Sequence, residues 1–354
     1  MTSPGPAPVV VIGGGIAGIA AARELVDQGV AVRVLDRGRR LGGRIGARAV
    51  AGRAVDVGAS YFTVPDPDGP FAAVVRDWQQ RGLAREWTDT FAVAEGGRLT
   101  GAKSGPMRWG AADGLRSLVA DLASGLSVTF PIEVAAVRRD GASLSVDGEP
   151  AAAVVLAMPD AQARRLLQMG GGLGDESGEP APGLGSVAGA LTRQSDPQIA
   201  VAAGWKRRWW PEFAAAFVND SEAVSFLADD GSRHGDGAAV LVAHVTPSLS
   251  ARHLDDPDAV IAPVLDEVRG LLGGDGGGEL SGSPDWAPGW SLAKRWALAK
   301  PTGRREQPYL LTEPADGPPV AVCGDGWGGP SRVAQAFASG HATGRAIAAR
   351  LLAA

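Results

Sequence analysis

Cysteine is nearly missing from the sequence: Cys323 is the only one among 354 residues. No intrachain disulfide can form, and a reducing compartment is the expected setting. Histidine is scarce as well. His234, His244, His253 and His341 stand at spacings that make no ligand set, so no metal site is predicted. There is no excess of basic charge; the formal net charge of −5 gives no general attraction to nucleic acid or to an anionic membrane, and neither is an expected partner. Long hydrophobic runs are absent too. The apolar stretch near the start is broken by three consecutive glycines and by Arg23 and Glu24, which excludes it as a membrane span. The opening Met1–Pro6 lacks the basic region of a secretory leader, so a cytoplasmic location is expected. Neither a Gly-x-Ser-x-Gly nucleophile motif nor a fixed-period repeat occurs. What the chain does have is glycine, 51 residues of it, with 45% hydrophobic and 21% charged residues. That composition and length suit a globular protein of one large or two medium domains.

The glycines are not evenly useful. Val9–Ile12 is a short apolar run that meets Gly13-x-Gly15-x-x-Gly18, followed by Ile16, Ile19, Ala20, Ala22, Leu25 and Val26 at helical spacing. In such a strand–turn–helix the first glycine makes the turn, the second lets a pyrophosphate approach the backbone, and the third lets helix and strand pack closely. The helix start, with Ile16 and Ala17, offers free amides and its positive end to phosphate. A second strand, Ala31–Leu35, ends in Asp36, 23 residues after Gly13, at the distance expected for a ribose-binding carboxylate. Further along, the near-continuous apolar run Ala153–Pro159 reads as a buried central strand. Asp140-Gly141 and Asp147-Gly148 mark turns of an antiparallel meander, and glycine-rich loops are expected over 170–185 and 273–282. The last strand, Pro319–Cys323, runs into Gly324-Asp325 and a helix from about Arg332 to Leu352.

Asp36-Arg37-x-Arg39-x-x-Gly42-Gly43-Arg44 resembles the corresponding segment of the flavin amine oxidase superfamily, in which glycines admit the FAD pyrophosphate and arginines neutralise it. Asp56-x-Gly58-Ala59-Ser60-Tyr61-Phe62-Thr63 is similar to a segment of the renalase-like branch that runs beside the flavin ring; for Tyr61 and Phe62 ordinary core packing is the other reading. The resemblance implies that the backbone of Val134 meets the adenine. It also implies that Asp325, after Gly324, takes a hydrogen bond from the ribityl chain, and that the helix start at Val333 faces the flavin pyrimidine edge. Trp290–Ala299 resembles a stretch that usually reads His-Arg-Trp, with Lys294 here in place of the histidine and Arg295 and Trp296 retained. Trp296 either lines the substrate cavity or is buried for its area.

The resemblance implies an α/β fold: a Rossmann-type FAD-binding domain over 1–70, 106–165 and 295–354, and an α+β substrate domain on an antiparallel sheet over 71–105 and 166–294. FAD is the expected cofactor, held non-covalently because Cys323 reads as a small buried hydrophobe. The implied activity is that of a renalase-type oxidase passing hydride from isomeric dihydronicotinamide dinucleotides to flavin and then to O2, giving H2O2. The alternative is a flavin amine oxidase or desaturase acting on a specialised metabolite, and a flavin-holding scaffold without turnover is a third reading. A monomer or homodimer is expected. Tyr61, Phe62, Arg295 and Trp296 are the candidate catalytic residues.

Overall fold

The structure, a computed structural model, describes residues 6–169, 184–273, 286–312, 315 and 317–353. The two expected glycine loops fall almost wholly outside the described residues. The chain divides into two compact units. One comprises Met1–Gly43, Val119–Ser195 and Pro301–Ala354; the other comprises Arg44–Leu118 and Asp196–Lys300.

In chain order the elements are β1 (Val9–Ile12), α1 (Ile16–Asp27), β2 (Val32–Leu35), β3 (Ala47–Val50), β4 (Arg53–Asp56), α2 (Pro70–Gln80), β5 (Ala84–Glu95), β6 (Arg98–Ala111) and α3 (Leu115–Leu122). Then come β7 (Val128–Thr129), β8 (Val137–Asp140), β9 (Ser143–Val146), β10 (Glu149–Pro150), β11 (Ala153–Leu156), α4 (Asp160–Met169) and α5 (Leu184–Ala190). The second half holds β12 (Ser195–Gly204), β13 (Ala215–Val218), β14 (Val224–Asp229), α6 (Asp230–His234), β15 (Val240–Val245), α7 (Pro247–Arg252) and α8 (Ile261–Gly273). Last are β16 (Trp290–Pro301), β17 (Leu310–Leu311), β18 (Val320–Val322) and α9 (Val333–Leu352).

The first unit is Rossmann-like. Its six-stranded sheet runs β17-β18-β11-β1-β2-β7, with every pair from β18 to β7 parallel. Val10, Ile12, Val154, Leu156, Val320 and Val322 point to one face, where Leu166, Leu167, Leu184, Val187 and Leu191 cover them. This burial assigns residues 166–195 to the first unit, whereas the sequence patterning put 166–294 in the substrate domain. On the other side α9 crosses α1 at backbone distance: a Cβ on Gly340 would lie 1.9 Å from the Ala17 carbonyl oxygen.

The second unit is built on a seven-stranded sheet, β16-β12-β15-β14-β13-β5-β6, in which the pairs from β12 to β6 are antiparallel except for β13 with β5. Period-two alternation sorts its residues cleanly. Ile199, Val201, Leu241, Ala243, Val245 and Ala293 pack with Val260, Val264, Val268 and Leu271 of α8 and its lead-in. Ala200, Ala202, Val240, Val242, Trp290 and Leu292 take the opposite face, against Val55 and Val57. That contact draws residues 44–70 into the second unit, where the sequence had them with the flavin domain. The strand-like run at Val134 begins as strand only at Val137.

Candidate functional site

The first unit concentrates its glycines where a phosphate would need them. Gly13 has φ of 120°, and a Cβ there would sit 2.4 Å from the Ala157 carbonyl oxygen; one on Gly18 would sit 1.9 Å from that of Gly13. No side chain caps α1, whose N-cap is Gly15, so the first-turn amides of Ile16, Ala17 and Gly18 point outward as donors. Gly43 lies over Gly15, with room of 3.4 Å from a Cβ to the Gly15 Cα. The Asp36 carboxylate accepts from the amides of Gly14 and Gly38, each at 2.6 Å, while Arg37 and Arg39 are exposed beside it. Val134 is half-buried and packs its side chain on the sheet core.

At the far end of that sheet the Gly324 amide donates to Ser339 Oγ at 3.0 Å, and Asp325 accepts from Ser331 Oγ at 2.5 Å. Val333 opens α9, and its N-cap, Arg332, supplies no side-chain cap. The turn between them is clasped from behind. Arg193 donates to the carbonyls of Thr302, Gly303 and Gly326, and Arg305 forks onto Asp160 at 2.9 and 2.6 Å while stacking on Trp327. Sequence patterning points to neither Arg193 nor Asp160, whose side chains meet Thr302, Gly303, Gly326 and Arg305 more than 100 residues away in the chain. A backbone cradle that any Cβ would fill, donor amides at two helix starts, and the Asp36 and Asp325 carboxylates together fit FAD.

The second unit gathers the remaining predicted residues. Ala59 donates its amide to the Arg44 carbonyl at 3.0 Å, and Arg44 Nη1 donates to the Ala299 carbonyl at 3.1 Å. Tyr61 is half-buried in an aromatic wall with Trp87, Phe91 and Phe226, at ring separations of 6.5, 5.2 and 6.2 Å. Phe62 points the other way. It is 3% exposed, stacks on Trp109 and meets Phe71 and Trp78, which makes it a core residue. Trp296 donates Nε1–H to the Val57 carbonyl at 2.7 Å, and Lys294 Nζ lies 4.7 Å over its ring. Arg295, one residue along the strand, turns to the opposite face and donates to the Leu254 carbonyl at 2.9 Å; the structure does not bring it together with Tyr61 and Trp296.

His244 was missed. It shares the sheet face of Val240 and Val242, touches Phe226 at 5.6 Å, and its Nε2 lies 3.2 Å from Ser60 Oγ. Burial, reinforced by the Arg233 charge and opposed by a hydrogen bond to the Gly58 backbone, lowers its pKa to about 4, so the ring is neutral at pH 7. The only sequence signal was a single polar residue in an otherwise apolar strand.

A buried charge cluster also forms where none was expected. One ligand-type atom each from Asp56, Asp230 and His234 fall within 4.8 Å of one another. Two guanidiniums already serve the carboxylates: Arg233 pairs with Asp230 and lies 3.8 Å from Asp56, and Arg53 pairs with Asp230 at 2.5 Å. Burial alone would raise the Asp230 carboxyl, but Arg233, His234 and Arg53 hold it below its ordinary range. Asp56 also accepts the Leu115 amide at the start of α3, at 3.1 and 3.2 Å. The cluster is an internal ion network that ties β4 to α3 and α6.

Comparison with known proteins settles the family. Residues 11–78 match the NAD(P)-binding Rossmann-like domain, and residues 82–348 match the flavin containing amine oxidoreductase model. The chain belongs to the flavin-containing amine oxidoreductase family. Among curated relatives, Polyamine oxidase 2 of Arabidopsis thaliana is 43% identical over 67 residues, 19% of this chain and 14% of that protein. The carotenoid 3,4-desaturase of Haloarcula japonica is 43% identical over 58 residues, 16% of this chain and 12% of that protein. The matched stretch is thus about one seventh of these relatives' length or less. Among solved structures, a protoporphyrinogen-oxidase candidate from Exiguobacterium sp. 255-15 has a TM-score of 0.73 at 14% identity, covering 99% of both chains. Cyclohexylamine oxidase from Brevibacterium oxydans IH-35A has a TM-score of 0.64 at 16% identity, covering 98% of this chain and 99% of its own. These structures share the fold of this family member: a Rossmann-like nucleotide domain with a second, sheet-rich domain. No helix among the described residues is long and apolar enough to cross a membrane.

Proposed function

We propose that the protein is an FAD-dependent oxidase that removes hydride from a carbon next to nitrogen in a small amine-type substrate and delivers the electrons to O2, giving H2O2. The match of residues 82–348 to the amine oxidoreductase model carries this reading. Bound FAD supplies the hydride-accepting ring, and the protein supplies its orientation and surroundings. The amides at the start of α1 hold pyrophosphate, Asp36 takes the adenosine ribose, Asp325 takes the ribityl chain, and the start of α9 favours negative charge at the pyrimidine edge. Tyr61 and Trp296 offer aromatic faces to the substrate. Ser60, backed by neutral His244, offers it a hydroxyl that donates or accepts a hydrogen bond. Cys323 is fully buried with its thiol pushed up to about 12, which leaves it unreactive and supports non-covalent FAD.

A second reading, isomeric dihydronicotinamide dinucleotides as the hydride donors, is favoured by the Asp56–Thr63 segment and by the lack of an acid partner for Lys294 among the described residues. Anaerobic mixing of the holoprotein with a panel of amines and with isomeric dihydronicotinamides, followed by flavin absorbance, separates the two. Bleaching by amines, with H2O2 released on admitting air, supports the first; bleaching only by the isomers supports the second. A protein that purifies colourless and takes up no FAD sinks both.

A further inference from the structure

Several cations of the second unit pair with acids. Arg53 meets Asp230 and Asp236, Arg208 meets Asp229, and Arg233 meets Asp230. Lys294 has no acid partner among the described residues, and neither does Arg48. The β16 alternation puts Lys294 on the face of Trp290, Leu292 and Trp296, opposite Ala293 and the α8 core. Its ammonium lies over the Trp296 ring, and that ring is fixed by its hydrogen bond to Val57. The charges that face it are Arg48 from the β3–β4 hairpin, Arg116 from α3, and Arg295 from its own strand, all positive. Arg295 itself lies 3.8 Å from Asp255. Burial and these like charges together push the Lys294 pKa down. A half-buried ammonium near guanidiniums, with an aromatic floor and no acid partner of its own among the described residues, has the chemistry to bind an oxyanion.

We propose that Lys294, over Trp296, together with Arg48 binds an anionic oxygen group carried by the substrate, so that the chain takes a phosphate- or carboxylate-bearing substrate and rejects di- and polycations. The proposal deepens the oxidase reading and rests on it for the word substrate, but the anion site itself is measurable without turnover. Polyamines, which the names of several relatives specify, would be repelled by this cluster, whereas an amine or a dihydronicotinamide joined to phosphate or carboxylate would be held.

The test uses FAD-saturated holoprotein at low ionic strength, titrated by calorimetry with inorganic pyrophosphate and, separately, with acetate and with putrescine. Saturable pyrophosphate binding is expected, weakened about tenfold in Lys294→Met and in Arg48→Met, each with wild-type FAD content. Lys103→Met, an exposed lysine on β6, controls for net charge and should bind as wild type. Affinity should fall at alkaline pH, sooner than for an ordinary lysine, as Lys294 loses its proton. Tighter binding of acetate than pyrophosphate assigns the site to a carboxylate; the reverse assigns it to phosphate. Pyrophosphate and acetate binding that neither substitution weakens, an equal loss in Lys103→Met, or tighter binding of putrescine than of either anion overturns the proposal. Arg48 is exposed, so its variant keeps the test valid if Lys294→Met fails to fold. If anion binding fails while amines still bleach the flavin, the oxidase reading survives alone.

Discussion

His244 is a basic group held in its neutral form, and that has a sign. Its pKa is near 4 in the folded chain against 6.5 for an ordinary histidine, so between those values the unfolded chain binds the extra proton. Stability therefore rises with pH across that window and is lost as pH falls toward 4, by roughly 3 kcal/mol in full. Urea midpoints at the two ends of the window should differ by that much less in His244→Asn than in wild type; an unchanged difference would count against the burial of the ring. Asp56 acts through charge. Asp56→Asn keeps an oxygen for the Leu115 amide but leaves Arg233 and His234 short of a carboxylate, and should cost about 3 kcal/mol in chemical denaturation. The same cost from Asp66→Asn, an exposed turn residue, would show that the network is not the reason. For the nucleotide face the sharpest single change is Gly18→Ala, whose methyl would collide with the Gly13 carbonyl. It should yield protein that holds little or no FAD, read directly from the flavin absorbance of the purified sample.

Helix against helix, the decisive feature is the α1–α9 crossing. Gly340 and Gly344 let the backbones touch: added Cβ atoms would sit 1.9 Å from the Ala17 carbonyl and 2.7 Å from that of Ala21. Gly344→Val should force the helices apart and lower stability by roughly 2 to 3 kcal/mol, measured by the shift in denaturant midpoint; a shift below about 0.5 kcal/mol would contradict the crossing. At this scale the sequence was most readable where structure is local. The β1–α1–β2 unit, the meander, β11 and α9 all announced themselves through local patterning and turn residues, because their signals sit within a dozen neighbours. The sides of β16 could be inferred only once its partner strands were known, which is why Arg295 was grouped with Trp296 although adjacent strand residues face opposite ways. Phe62 followed Tyr61 into the candidate list for the same reason. His244, Asp230 and Arg193 acquire meaning only from partners brought together by the sheets, and no spacing rule reports those partners.

At the scale of the whole molecule, FAD should act as a structural ligand as well as a cofactor. A ligand bound only by the folded state at a hundredfold excess over its dissociation constant adds about 2.7 kcal/mol, so the melting temperature should climb with added FAD and fall when the flavin is stripped. Acid denaturation of holoprotein should release yellow flavin into the supernatant; colour that stays with the pellet would mean a covalent link. The order in which the Rossmann-like sheet is threaded has a further consequence. β1 ends at Ile12, yet its sheet is completed through β11, at Ala153–Leu156, and then β18, at Val320–Val322. During synthesis on the ribosome the nucleotide-binding strand therefore emerges first and waits for nearly the entire chain. Until α9 arrives, the glycine-facing side of α1 has nothing to cover it. A premature stop before Val333 would leave a nucleotide cradle that is translated and never closed by α9.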